Sequence, residues 1–343
     1  MTYMTIEEQP EQFNNTRKAD FKSIYNQPDP RAYFAALTPL QYQIPQQALP
    51  FIKRVLQHIS TGDPSPTSNG DDVVTTVNKV KVLDVCSSYG INAALLRHDI
   101  DMDGLAEHYA STPKLSSREQ IEADERFFAA HKLQRDQGSN NDFEVLGLDV
   151  APEAISYSVK IGLQEAGFTE NLETHDPSPD LRQALRDVNL VVCTGGVGYV
   201  GASTFTRIAA AAKASPSSPS QLWMVTFVLR VFSFDEVAER LRAEFGLVTE
   251  KVEGRVFRQR RFSSREEQRA AVEDVRRKGL DERGLEGMGG FGRSVGLRGL
   301  RVGGGILGSW LRVFEVARDG RLVTGCSLSC LDGFRGSNRR LDS

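Results

Sequence analysis

The stretch from residue 80 to residue 90, VKVLDVCSSYG, constrains this chain more than any other. Its first six residues are rich in valine and leucine, the pattern of a strand buried on both faces. Asp84 stands near the strand's end. A tight loop of small residues follows and closes on Gly90, and INAALLRH then reads as a helix. A strand ending in an acid, a small-residue loop and a helix together open an α/β sheet that binds a nucleotide-like ligand at its strand ends.

The rest of the chain supplies a sheet around that unit. Residues 143–149, FEVLGLD, form a second apolar run that ends in an acid, Asp149. APEAISYSVKIGLQEAG follows as an amphipathic helix, with Pro152 in its first turn and Gly167 at its stop. A short third strand is expected at residues 171–175. Residues 188–193 and 222–229, VNLVVC and LWMVTFVL, are buried strands. Helices are expected at 181–185, 204–212 and 234–245, and residues 247–262 read as extended. Strands alternating with helices predict a Rossmann-like, mainly parallel sheet with helices on both faces. Its ligand edge would carry CSSYG, the Asp149 turn, THDPSP and TGGVGYV.

Before the sheet, residues 1–28 are polar and read as a flexible tail. Residues 29–60 read as an N-terminal helical cap, with one helix face at Tyr33, Phe34, Leu37 and Leu40 and a second helix over 46–59. The sheet domain is expected to span 73–282. It is interrupted by an insertion over 99–141, in which Ile121, Phe127, Phe128 and Leu133 offer an apolar face. Residues 283–343 differ: 15 of the 30 glycines lie there, and every basic residue after Lys278 is arginine. This segment reads either as a disordered tail or as a stretch that is not selected protein sequence. The runs at 310–317 and 321–327 flank Asp319-Gly320, a hairpin signal.

Composition excludes more than it proposes. The chain has 343 residues and a net charge of −3, which gives no electrostatic footprint for nucleic acid. No apolar run approaches the ~20 residues of a membrane span. Cys86, Cys193, Cys326 and Cys330 do not make a disulfide framework or a zinc site, so no metal is expected. The polar, acidic N-terminus does not read as a signal peptide, and the expected compartment is cytoplasmic.

The order VLDVCSSYG, VLGLDVAPEAISYSV, NLVVCTGGVGYV, LWMVTFVLR resembles the class I S-adenosylmethionine-dependent methyltransferases over about residues 80–262, less the insertion. That family places acid-x-Gly-x-Gly-x-Gly after its first strand. The matching positions are Asp84, Cys86, Ser88 and Gly90, with small residues at the first two glycine positions. The resemblance implies that Asp84, Cys86, Ser87, Ser88, Tyr89 and Gly90 surround S-adenosylmethionine. It implies that Asp149 accepts from both ribose hydroxyls, as a bidentate carboxylate suits a vicinal diol. Residues 174–176 resemble the adenine contact. Thr194 would meet the cofactor, and Gly195, Gly196 and Tyr199 would face the acceptor, with Tyr42 as a roof.

The expected function is methyl transfer from S-adenosylmethionine to a small-molecule acceptor. The alternative is a catalytically silent, cofactor-binding relative that acts through partners. A nicotinamide-dependent oxidoreductase would need Gly-x-Gly-x-x-Gly after the first strand and an acid about 20 residues further on, and neither is present. His98 reads as a surface histidine or a general base. The arginines at 258, 260 and 261 read as a solvated strand face or an anionic-substrate site.

Overall fold

The computed structural model describes residues 22–61, 79–112, 114–133, 143–213, 222–252 and 257–280, and the backbone of 308–318. Eight strands build one sheet: β1 (Val80–Val85), β2 (Phe143–Leu148), β3 (Ala166–Phe168), β4 (Leu190–Thr194), β5 (Trp223–Leu229), β6 (Leu247–Lys251), β7 (Phe257–Arg261) and β8 (Gly308–Arg318). Their order is β3-β2-β1-β4-β5-β8-β6, with β7 also on β8. The pairs among β1 to β5 are parallel. β8 runs antiparallel to β5, β6 and β7. This is a Rossmann-like, mainly parallel sheet. Its direction of growth reverses between β1 and β4, the switch point at which such sheets open a crevice.

Alternation along the strands sorts side chains onto two faces. Val80 and Val82 of β1 join one buried cluster with Leu190, Val192, Val225 and Phe227. Leu83 and Val85 join the other with Val191, Cys193 and Met224. Each fully buried side chain of this size stabilises the fold by about 1.5–3 kcal/mol, so a one-residue slip in register is strongly disfavoured.

Helices α1 (Arg31–Leu37), α2 (Ile44–Thr61), α3 (Ile91–Arg97), α4 (Met102–Ser111), α5 (Ser117–Ala130) and α6 (Pro152–Lys160) cover the first face. Helices α7 (Pro179–Leu185), α8 (Ala202–Ala212) and α9 (Asp235–Phe245) cover the second. Helix α10 (Arg265–Arg277) follows β7.

The insertion holds two helices, where the sequence suggested one. Ser116 and Glu119 start α5 with a reciprocal capping box. The insertion seats on the body through a buried carboxylate. Asp124 accepts from His108 Nε2 at 2.6 Å, Gln120 Nε2 at 2.7 Å and Tyr157 Oη at 2.6 Å. With donors on both oxygens, the carboxylate avoids the penalty of a buried orphan charge. Insertion and cap also bind each other. Phe34 stacks on Tyr109 at 4.7 Å, and Arg31 donates to the carbonyls of Thr112 and Leu115. Phe128 is buried as expected, whereas Leu133 is 41% exposed.

Four expectations change. The third strand is Ala166–Phe168, and Thr174 and His175 lie in a turn and bend after it. The preceding helix ends at Lys160, and Gly162, with φ +74°, turns the chain out. Gly167 is instead where α6 presses on β3, since a Cβ there would meet Ile155 Cγ2 at 2.5 Å. Ordered chain begins before residue 29, in a short 3-10 helix at Lys22–Ile24. Finally, β8 comes from the glycine- and arginine-rich segment and sits inside the sheet, beyond the expected boundary at residue 282. Residues 321–327, the second arm of the suggested hairpin, lie outside the described residues.

Candidate active site

The chain segments that follow β1, β2 and β4 meet at a cavity of about 420 Å³. Cys86, Ser87 and Ser88 line it from the first loop, Asp149 and Ala151 from the second, Thr194, Gly195 and Gly196 from the third.

The first loop keeps a glycine-like backbone without the glycines. Cys86 has φ +58°, Ser88 φ +49° and Gly90 φ +74°. For residues with a side chain this left-handed region costs roughly 1–2 kcal/mol each. The loop tolerates it because it is tied down. Cys86 N and Ser87 N donate to Leu148 O at 2.8 and 3.3 Å, and Ser88 N donates to Asp149 Oδ2 at 2.9 Å. Cys86→Gly is expected to hold or raise the melting temperature, by no more than about 1 kcal/mol of added stability after glycine's own entropy cost. Cys86→Val should lower it. Thermal melts of both variants check the direction.

Asp149 Oδ1 also accepts from Ala151 N at 3.1 Å. Each carboxylate oxygen thus holds a backbone donor, and a carboxylate has about four acceptor sites in all, in a residue that lines the cavity. Burial raises the Asp149 pKa, and hydrogen bonds from the backbone N–H groups of Ser88, Ala151 and Val150 oppose that rise.

Asp84 is placed differently from expectation. It is 1% exposed and sits behind the cavity wall. Its Oδ1 accepts from Asn92 Nδ2 at 2.9 Å, and the same Nδ2 donates to Thr194 Oγ1 at 3.0 Å. Asn92 and Thr194 do line the cavity, so Asp84 orients wall residues from behind. Burial pushes its pKa up to about 7, the Asn92 hydrogen bond opposes this, and the charge of Asp149 adds to it. Tyr89 also turns away from the cavity. Its hydroxyl donates to Ile24 O and accepts from Gln27 N, both at 2.9 Å. It thereby pins the N-terminal segment across the opening. Gly90 starts α3 and lies outside the lining.

The roof holds residues that the sequence did not single out. Tyr25 and Asn26, from the polar tail, line the cavity together with Tyr33, Leu37 and the expected Tyr42. Tyr33 makes edge contacts with Tyr25 at 5.7 Å and with Tyr42 at 6.2 Å. Burial holds the hydroxyls of Tyr25, Tyr33 and Tyr42 well above their ordinary pKa, so they are protonated at neutral pH. Val150 and Tyr199, 65% and 52% exposed, stand at the rim. Gln259 and Arg260 reach the wall from β7. Arg260 is matched by Glu267, with Nη2 to Oε1 at 2.5 Å and Nη1 to Oε2 at 3.1 Å.

The glycines after β4 are required by crowding. A Cβ on Gly196 would lie 2.7 Å from Cys86 Sγ and 2.8 Å from Cys193 Sγ, and Gly195 has φ +87°. Residues 174–176, expected at the adenine, do not line this cavity; Asp176 pairs with Arg207 at 2.8 Å. His98 is neither a surface residue nor a base in the site. It is 8% exposed, packs on Phe128 and bonds Ala94 O through Nδ1, and burial lowers its pKa.

No family model matches the chain, and no curated protein matches it. Among solved structures, it is similar to a TehB-like SAM-dependent methyltransferase from Corynebacterium glutamicum ATCC 13032 Kitasato, at 15% identity over 62% of this chain and 88% of that one, with a TM-score of 0.29. It is similar to the plantazolicin methyltransferase BpumL in complex with SAH, at 8% identity over 70% and 76%, with a TM-score of 0.27. It is also similar to the N-terminal domain of EvdMO1 with SAH bound, at 12% identity over 84% of each chain, with a TM-score of 0.28. The first two are methyltransferases by name, and the third is a domain solved with SAH bound. The fold rests on the strand order above.

The cavity nevertheless fits a nucleoside cofactor on its own terms. Ser87 Oγ, Ser88 Oγ, Asp84 Oδ2 and Asn92 Oδ1 are buried and make no hydrogen bond among the described residues. Buried polar atoms without partners are uncommon in folded proteins. Those of Ser87, Ser88 and Asn92 belong to residues that line the cavity, as does the carboxylate of Asp149. Among the described residues, no group of three or more histidine, cysteine, aspartate or glutamate side chains is placed to hold a metal ion, and no helix is long and apolar enough to cross a membrane.

Proposed function

We propose that this chain is an S-adenosylmethionine-dependent methyltransferase acting on a small molecule. The observation that carries the reading is the convergence of the 86–88 loop, with left-handed backbone at Cys86 and Ser88, Asp149 and the Thr194–Gly196 turn on one cavity at the switch point. S-adenosylmethionine, when bound, supplies a methyl group activated on a sulfonium.

The chain's own residues bind and orient. Asp149 accepts from the ribose diol, and Ser87 and Ser88 of the first loop line the wall that the cofactor packs against. Tyr25, Tyr33 and Tyr42 close the site from above and exclude water, so that alignment of donor and acceptor provides the rate enhancement. The described lining contains no histidine or lysine, Asp149 is its one carboxylate, and its roofing tyrosines are held protonated. The acceptor therefore brings a nucleophile that is already unprotonated at neutral pH.

Calorimetric titration with S-adenosylmethionine and S-adenosylhomocysteine is expected to show binding of both, and NAD none. Stabilisation by NAD without any by S-adenosylmethionine would overturn the reading. Transfer of radiolabelled methyl into a metabolite extract then separates an active enzyme from a silent cofactor-binding relative.

A further inference from the structure

A second cavity, of about 440 Å³, lies on the far side of the tyrosine roof. Tyr33, Leu37 and Tyr42 line both cavities, so the two share a wall. Tyr33 and Leu37 are 3% and 2% exposed, whereas Tyr42 is only partly buried. Tyr42 is the least covered of the three.

Arg258 lines this second cavity. Its one hydrogen-bond partner among the described residues is a neutral amide, Gln41 Oε1 at 3.1 Å. Gln41 itself has φ +54°, a conformation that costs a non-glycine residue energy. The neighbouring arginine in the same strand, Arg260, has its charge matched by Glu267. Among the described residues Arg258 pairs with no carboxylate, and partial burial and the like charge of Arg261 lower its pKa. A guanidinium is built for bidentate recognition of a carboxylate. Leaving one partly desolvated beside a like charge is unfavourable unless an anion joins it. The other charged group lining the cavity is Asp103, which accepts from Gln43 Nε2 at 2.8 Å. Its charge repels any anion in the cavity, so a single negative charge placed on Arg258 is disfavoured least.

We propose that the methyl acceptor is a monocarboxylate whose carboxylate is held by Arg258 in the second cavity, while its body reaches past Tyr42 into the tyrosine-roofed cavity and carries at that far end the unprotonated nucleophile that takes the methyl group as the thioether leaves. The carboxylate site stands on the two cavities and Arg258. Only the assignment of its ligand as methyl acceptor rests on the proposed function.

Calorimetry with phenylacetate, indole-3-acetate and hexanoate, each against its primary amide, tests this, with and without S-adenosylhomocysteine. At least one acid is expected to bind the wild-type chain tenfold or more tightly than its amide. Arg258→Gln should erase that preference and leave S-adenosylhomocysteine affinity within twofold, while Arg258→Lys keeps part of the preference. No acid preferred over its amide by the wild type, or a preference that survives Arg258→Gln, overturns the proposal. If the preference and its loss are seen but S-adenosylhomocysteine does not bind the wild type, the carboxylate site stands and the methyltransferase reading falls.

Discussion

Asp149→Ala is expected to weaken S-adenosylmethionine binding at least tenfold, on the order of 1.4 kcal/mol. Two losses combine. The carboxylate's remaining acceptor sites disappear, so a vicinal diol loses both partners. The backbone N–H groups of Ser88 and Ala151, now bonded to Asp149 Oδ2 and Oδ1, lose their anchor. The 86–90 loop then loosens where it must approach the ligand. Folding should survive, because burial already disfavours the charged form of Asp149 and its removal lifts that cost. Calorimetric titration alongside a thermal melt separates the two effects. Unchanged affinity in a folded variant would remove Asp149 from the site.

Asp84→Asn is expected to flatten the pH dependence of stability. The Asp84 pKa rises from 3.8 unfolded to about 7 folded. Between those values the folded chain holds a proton that the unfolded chain releases. Stability therefore falls as pH rises from about 4 to 7, and the full penalty is present above 7. A shift of this size corresponds to about 4 kcal/mol. Asparagine carries no charge at any pH and keeps an oxygen for Asn92 Nδ2. The variant should melt higher than wild type at pH 8, with the gap closing toward pH 4. Denaturant melts at a series of pH values give the comparison directly. Parallel profiles for variant and wild type would show that Asp84 does not carry the titration.

Much of the sheet was legible because its signals are local. β1, β2, β4 and β5 are runs of valine, leucine and other apolar residues, and their burial is nearly complete. β3 was misread because its three residues, Ala166–Phe168, carry no strand pattern; parallel pairing to β2 makes them a strand. β8 was obscured by the glycine- and arginine-rich sequence before it, and becomes a sheet strand only through its partners β5, β6 and β7.

The site divides along the same line. Asp149 and the TGG turn could be named in advance, because a strand-end acid and paired glycines state their geometry locally. The left-handed backbone at Cys86 and Ser88 could not, since neither residue type requests it. It is imposed by hydrogen bonds to Leu148 and Asp149, about sixty residues away along the chain. Tyr25 was hidden in a polar tail that the Tyr89 hydroxyl holds down from afar.

VKVLDVCSSYG and FEVLGLD were enough to specify an α/β sheet with a ligand edge, because apolar periodicity and strand-end acids act over a few residues. Three things belong to the tertiary structure alone: Asp84 lies behind the wall and not in it, tyrosines from the cap make the roof, and Arg258 faces a different cavity from Arg260. Each depends on which distant segment supplies the missing hydrogen bond, the burial or the counter-charge.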